Sequence, residues 1–534
     1  MNPNKHILLF LLAAAFLLRL FPLSFPVFTS SEARIAARGY TLTKYGTDEL
    51  GRKLPFIFNS SEDYELPLTS YLTAAGIFIF GKNDAGARIP FILVGTVLVY
   101  FIYKLSETIF NKREINLFAG FITSFSPGLI FFSKFPNEYI ISALLIAILL
   151  NILLSQKINK VIFLFIIFLM LITSKMFWFT LIPITLLPLF INKKINRSNK
   201  IFISVSTIIL NLSIFALFIK IPQGMRSLIE NNLSTVQDIT IKNGIERLRS
   251  QKLTFWPSFL DKILFSKVHI LIAAFSNQLS HFQLGILFGQ LDKSANYGFL
   301  YTGAFPKIAV IPFLIGFSDI LKNRKSELFF PLICIFLLTS PLLFVYPDLK
   351  IGYIILILPL IVLFISKGLE ILNGKSFFKV KIIYLIIFFI IAEMMSNYLF
   401  IQSSIKNGTD SRPVWVKQLV LDGYNLSKDK EVYFSDRTIS NLVPYIYWYA
   451  PIQIKPLFAE IKYPYKFYES KVSDIKIIDL QVNHLTCNYD KYAYTFAVKK
   501  DVEKLNEFPE TLTIKNYQDD SGKQVLTLTR VLCK

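Results

Sequence analysis

The sequence predicts an all-α polytopic membrane protein of about eleven transmembrane helices, followed by a small C-terminal extracytoplasmic α/β domain. Three observations carry this prediction. Of 534 residues, 53% are hydrophobic, the mean hydropathy is +0.50 and only 17% are charged, against about a quarter in soluble domains. Apolar runs of about 20 residues, enough to cross a hydrocarbon core of about 30 Å, recur through the first 400 positions. Beyond position 401 these runs stop and period-two alternation appears.

The first run, 6–28, is too long for the core of a signal peptide and lacks a small-residue cleavage site, so it reads as an uncleaved anchor. Spans follow at 89–110, 115–132, 140–154, 161–173, 177–191 and 201–219. After a long polar gap come 304–321, 328–345, 351–365 and 382–401. The stretch 161–191 is read as a helical hairpin, because cationic turns flank both ends and have to share one side. In the tail, 430–435, 474–480, 492–498, 510–514 and 524–532 read as strands, and 413–424 as an amphipathic helix.

Charge sets the orientation. Alternate turns carry Lys112/Arg113, Lys157/Lys160, Lys193/Lys194/Arg197/Lys200, Lys322/Arg324/Lys325 and Lys367/Lys375/Lys379/Lys381, while the turns between them carry isolated cations such as Lys134 and Lys175. The positive-inside rule puts the first set and the N-terminus in the cytoplasm. The membrane domain is then 1–401, its outer loops are 29–88 and 222–303, and 402–534 is an outward domain. The net charge of +21 is accounted for by these turns and by contact with membrane lipids, not by nucleic acid. Cys334 lies in an apolar run, Cys487 and Cys533 fall in the tail, and no CxxC or HxxxH pattern suggests zinc.

The chemistry points to the first outer loop. Positions 31–67 hold Glu32, Asp48, Glu49, Glu62, Asp63 and Glu65, and 67–80 is apolar but too short to span, so it is placed along the interface. The second outer loop carries Arg247, Arg249, Lys252, His281 and Asp292. Acid beside cation suits general-base chemistry on a substrate that carries phosphate. Plainer readings stand beside these. Ser31-Glu32 could cap an interfacial helix, Asp48-Glu49 suit a turn before Gly51, and Asp63 and Glu65 suit a helix N-terminus. Arg19, inside the first span, is expected to reach the outer interface. Arg88 and Lys134 are expected to anchor span ends, with phosphate binding as the sharper alternative, and His281 to make a polar contact. The loop acids would also accept a hard cation such as Mg²⁺ or Mn²⁺, although no spacing demands one.

The run FTSSEARIAARGYTLTKYGTDELGRKLPFIF, then EDYELPLTSYL and FGKNDAGARIPFILVGTVLVYFIYKL, resembles the GT-C superfamily of membrane glycosyltransferases, in particular the bacterial branch of protein O-mannosyltransferases and aminoarabinose transferases. SPGLIFFSKFPNEYIIS and NQLSHFQLGILFGQLDKSANYGFLY fit later family segments. The resemblance implies transfer of a sugar from a polyprenyl-phosphate donor to a protein, lipid or glycan acceptor at the outer face of a bacterial cytoplasmic membrane. It implies an inverting displacement with a loop carboxylate as base. The sequence departs from the family twice. Ser31 stands where the family's Asp-Glu pair has Asp, leaving Glu32, and Glu65-Leu66-Pro67-Leu68 stands for Lys-Pro-Pro-Leu. The expected catalytic residues are therefore Glu32 and Asp63, with Arg88, Lys134, His281 and Glu65 toward the substrate. A transporter would place ionisable groups in mid-membrane, where this chain has only Glu393. An inactive cell-envelope scaffold is the remaining alternative.

Overall fold

A computed structural model describes residues 3–21, 28–48, 51–59, 64–155, 158–191, 196–219, 284–289, 303–323, 326–339, 351–377, 380–406, 415–427, 432–435, 442–450, 469–472, 475–478, 492–497, 511–518 and 524–532. The chain divides into two compact units. One comprises Met1–Phe21, Phe91–Lys293 and Leu300–Asn397, and the other Pro22–Pro90, Ser294–Phe299 and Tyr398–Lys534.

The first unit is helical. Its elements are α1 (Pro3–Leu20), most of α4 (Asp84–Phe110), α5 (Arg113–Phe125), α6 (Pro127–Phe132), α7 (Glu138–Leu154), α8 (Lys160–Leu171), α9 (Met176–Ile191) and α10 (Arg197–Ile219). They are followed by α11 (Val310–Asn323), α12 (Ser326–Thr339), α13 (Ile351–Asn373), a short antiparallel pair of β3 (Ser376–Phe377) and β4 (Val380–Lys381), and much of α14 (Ile382–Lys406). Asn137 and Asn159 cap α7 and α8 by accepting from the amides two and three residues on. The 161–191 hairpin is present as α8 and α9, turned at Thr173–Ser174. Among the described residues three helical stretches are long and apolar enough to cross a membrane, Asp84–Phe110, Arg197–Leu217 and Ile354–Asn373, and six shorter apolar helices accompany them.

Several boundaries differ from the sequence expectation, each for a local reason. The span expected at 115–132 is two helices, because Ser126 caps α6 and Pro127 starts it. Pro127 has no N–H to give the Thr123 carbonyl, and the Gly128 amide bonds Ala304 instead of Ser124. Arg19 fills both gaps, Nη2 donating to Thr123 and Nη1 to Ser124, each at 3.1 Å, with Nη1 also on the Ala15 carbonyl at 3.0 Å. It is fully buried, so the expectation that it reaches the interface is corrected. Helix α1 ends at Leu20, short of 28, while α13 and α14 run past 365 and 401 to Asn373 and Lys406. Glu393 caps a short helical turn, accepting from the Lys307 and Ile308 amides at 2.7 and 3.2 Å. Helices α11 and α13 approach at two glycines: a Cβ on Gly316 would strike the Phe364 carbonyl, and one on Gly368 the Pro312 carbonyl.

The second unit joins the first-loop segment to the tail. Its early part holds α2 (Ser30–Tyr45), a hairpin of β1 (Phe58–Asn59) and β2 (Tyr64–Glu65), α3 (Pro67–Phe80) and the first turns of α4. Its late part holds α15 (Trp415–Leu426), β5 (Val432–Ser435), α16 (Leu442–Tyr449), β6 (Glu469–Val472), β7 (Ile475–Ile478), β8 (Tyr492–Ala497), β9 (Thr511–Gln518) and β10 (Gln524–Leu532). The six strands form a mixed sheet in the order β6-β7-β5-β8-β10-β9, with β5 parallel to both neighbours. One core runs through both parts. Phe28, Ala33, Ala36, Ala37, Ile77 and Ala87 pack in the same cluster as Val416, Leu419, Tyr445, Trp448, Phe496 and Leu528. The compact division therefore does not follow the linear boundary at 401.

Candidate functional site

The site region is built on α2, which begins where the sequence can satisfy a helix start. Thr29 is the N-cap, and its side chain accepts from the Glu32 amide while the Glu32 carboxylate accepts from the Thr29 amide at 3.0 Å. This reciprocal cap satisfies two amides and places a negative charge at the positive helix end. Glu32 is 8% exposed, and its side chain is fixed in orientation by the cap. Ser31, one residue earlier, is exposed and hydrogen-bonded to Thr29 Oγ1 at 3.1 Å. Ala33, Ala36, Ala37 and Gly39 make the buried face of α2 small, and a Cβ on Gly39 would meet Thr73 Cγ2 at 2.8 Å, so α3 lies close. Gly46, at φ +67°, ends the helix in the left-handed conformation.

Arg34 and Arg38, four residues apart on α2, both engage Glu65 on β2, Arg34 at 2.6 Å on Oε1 and Arg38 on Oε2. Arg38 also lies over the Phe58 ring, 4.6 Å from its centroid. Burial alone would raise the Glu65 carboxyl, but the charges of Arg38 and Arg34 and their hydrogen bonds outweigh it and hold the pKa down at about 2. Asp48 is buried and serves a turn: it accepts from the Arg52 amide at 2.8 Å and pairs with the Arg52 guanidinium at 2.6 Å.

Residues from α4 and α16 complete the neighbourhood. Arg88, 1% exposed, lies over the Phe28 ring at 4.4 Å, and Phe28 in turn meets Trp448 with ring centroids 5.8 Å apart. Trp448 Nε1 donates to Asp84 Oδ1 at 3.2 Å. The Tyr449 phenol is hydrogen-bonded to the Phe28 backbone and lies within the electrostatic reach of Asp84, Arg88 and Glu32. Burial, with the Asp84 charge, pushes Tyr449 up, while Arg88 opposes, so the phenol stays protonated. Buried Arg88, the Glu32 carboxylate and a neutral phenol thus gather around the start of α2.

The structure brings Glu32, Glu65 and Arg88 into one unit. Lys134 belongs to the other, where it donates to the Phe21 carbonyl at 2.7 Å. Asp63, His281 and the cations Arg247, Arg249 and Lys252 lie outside the described residues. Among the described residues no group of three His, Cys, Asp or Glu could hold a metal ion. Sequence reasoning missed Arg34, Arg38, Trp448 and Tyr449. The Arg34–Arg38 spacing of one helical turn and the aromatic run Tyr445-Ile446-Tyr447-Trp448-Tyr449 were the available signals.

The comparisons agree with the resemblance read from the sequence. The family model for dolichyl-phosphate-mannose-protein mannosyltransferase matches residues 65–218, beginning just after the loop acids at 32–63. ArnT from Cupriavidus metallidurans bound to undecaprenyl phosphate superposes with a TM-score of 0.55 at 12% identity, over 98% of this chain and 97% of that one. The fold is similar to that of this ArnT. The apo form of the same ArnT gives 0.55 at 11% identity, covering 98% of each chain. The oligosaccharyltransferase of Archaeoglobus fulgidus in complex with Zn and sulfate gives 0.49 at 14% identity, over 86% of this chain. The present chain covers 59% and 62% of the two archaeal chains first matched. No curated protein sequence matches it.

Proposed function

We propose that this chain is a lipid-linked sugar transferase, moving a sugar from a polyprenyl-phosphate donor to an acceptor hydroxyl or amine at the outer membrane face. The observation that carries the reading is the ArnT-like fold over nearly the whole chain, with the family's remaining loop acid, Glu32, held in a buried, oriented position beside Arg88 and Tyr449. ArnT binds undecaprenyl phosphate, which supports a donor of the same chemical class here.

In the proposed reaction a Glu32 carboxylate oxygen takes the acceptor's proton as its oxygen or nitrogen attacks the anomeric carbon. The C–O bond to phosphate breaks with inversion, and the departing lipid phosphate takes the bond's electron pair. Cations such as Arg88 would stabilise that charge. The capping bond from the Thr29 amide holds the carboxylate aimed. Asp63 is the alternative base, and Ser31 occupies the exposed position of the family aspartate.

The test is a reconstituted assay with short-chain polyprenyl-phosphate sugars and acceptor extracts. Removing the base costs about 10²–10⁴ in rate, so Glu32→Gln is expected to fall in that range and Asp63→Asn to keep most activity. The reverse order would transfer the role to Asp63. Ser31→Asp restores the family pair and is expected to raise turnover. Activity in Ser31→Asp and none in the wild type would mark the native chain as a scaffold that has lost its base.

A further inference from the structure

Two lysines of the second unit converge where the reaction does not use them. Lys44 sits in the last turn of α2 and Lys82 just past the end of α3. Both ammoniums approach the same ring, that of Tyr40, Lys82 at 4.9 Å and Lys44 at 5.8 Å from its centroid, and Lys44 also lies 5.7 Å from Tyr45. Lys82 donates to the Ala450 carbonyl at 3.1 Å, just after α16. Neither lysine pairs with a carboxylate among the described residues.

A cation at a helix C-terminus is ordinary, and that explains one lysine at each helix end. It does not explain a partly buried lysine facing a second cation with no anion beside it among the described residues. Burial and the Lys44 charge together lower Lys82 to about 8, the behaviour of a cation whose counter-charge is missing. The neighbouring surface says where that charge would come from. Immediately before Lys82, α3 leaves Phe78, Ile79 and Phe80 exposed at 80%, 68% and 43%, a cluster suited to acyl chains. Tyrosine and lysine beside such a cluster are what the headgroup layer of a bilayer collects.

We propose that Lys44 and Lys82, with the Tyr40 and Tyr45 phenols beside them, bind the phosphate of an anionic bilayer lipid whose chains lie against Phe78–Phe80. Two ammoniums act as point charges on phosphate oxygens and the phenols add hydrogen bonds. The site anchors the α2–α3 segment to the membrane surface and is separate from the proposed sugar transfer, so its test reads binding alone.

The full-length protein in detergent is titrated with short-chain phosphatidic acid and bound lipid is counted by native mass spectrometry. Phosphatidylcholine of equal chain length and inorganic phosphate are the comparison arms. A surface lysine contributes about fivefold in affinity toward anionic lipid, so Lys44→Gln should weaken phosphatidic acid about fivefold and the Lys44→Gln/Lys82→Gln pair more, while Lys82→Arg retains it. Binding by the double variant within twofold of wild type overturns the proposal, as does phosphatidylcholine binding equally tightly. Displacement of the lipid by equimolar inorganic phosphate would assign the site to free phosphate and overturn the lipid reading. Lys44 is exposed, so if the double variant does not fold, Lys44→Gln alone decides.

Discussion

At the residue scale, Glu65, which departs from the lysine of the family the sequence resembles, has its charge met inside this chain. A charge reversal in a half-buried loop would be expensive alone, yet Arg34 and Arg38 already face the position and take both carboxylate oxygens. The folded carboxyl is held at about 2, against an ordinary value of 4.5. A carboxyl depressed on folding stabilises the protein above its unfolded pKa and loses that contribution as pH falls through the folded one. The loss is therefore expected between pH 4.5 and about 2, and is worth at most about 3 kcal/mol. Glu65→Gln should lower stability by about this much at neutral pH and flatten that acid slope, measured by denaturant unfolding across pH. An equal acid slope in wild type and variant would remove the triad as its source. The sequence showed the departure at Glu65 but not its partners, because pairing across a hairpin depends on which way α2 turns its arginines.

At the element scale, the helices were legible and their breaks were not. Hydropathy found the helices because twenty apolar residues leave few alternatives. It joined α5 to α6 because a proline within an apolar run does not change the average. That break explains Arg19, whose guanidinium serves two carbonyls that Pro127 and Gly128 leave without helical partners. Leaving a buried carbonyl unsatisfied costs about 1–3 kcal/mol, so Arg19→Leu is expected to lower the Tm in detergent markedly while Ser133→Ala, which loses one hydrogen bond to Arg19 Nε, lowers it little. A second element prediction concerns α11 and α13. Gly368→Ala places a methyl on the Pro312 carbonyl and should cost about 1–3 kcal/mol, the usual penalty of overpacking. A thermal shift assay reads this, and no shift would show that the helices can part without loss. In the tail, five strands were read from alternation, whereas β6 and α16 were missed. The polar run Glu469–Val472 of β6 shows no apolar alternation, and the aromatic face of α16 has its partners some 360 positions earlier, as with Trp448 and Asp84.

At the scale of the whole molecule, the first-loop segment and the tail share one core. A chain ending at Lys406 keeps α2, α3 and the loop acids but loses Val416, Leu419, Tyr445, Trp448, Phe496 and Leu528 from that core. Such a truncation is expected to expose α2, so trypsin should cut at Arg34 or Arg38 in the truncated protein and leave those sites intact in the full chain under the same conditions. Equal resistance would show that the early half folds alone. No local sequence pattern announces this arrangement, because hydrophobic periodicity finds elements and says nothing about partners hundreds of positions apart.

That shared core also has a consequence in time. Helix α2 is synthesised some 400 residues before α16, and at about 5–20 residues per second the ribosome needs roughly 20–80 s to reach it. Throughout that interval the segment carrying Glu32 lacks the aromatic helix that packs on it. The early segment therefore packs against its later neighbours Tyr445, Trp448, Phe496 and Leu528 only after they have been made. The core around α2 is thus closed late, by residues made long after the helix they cover.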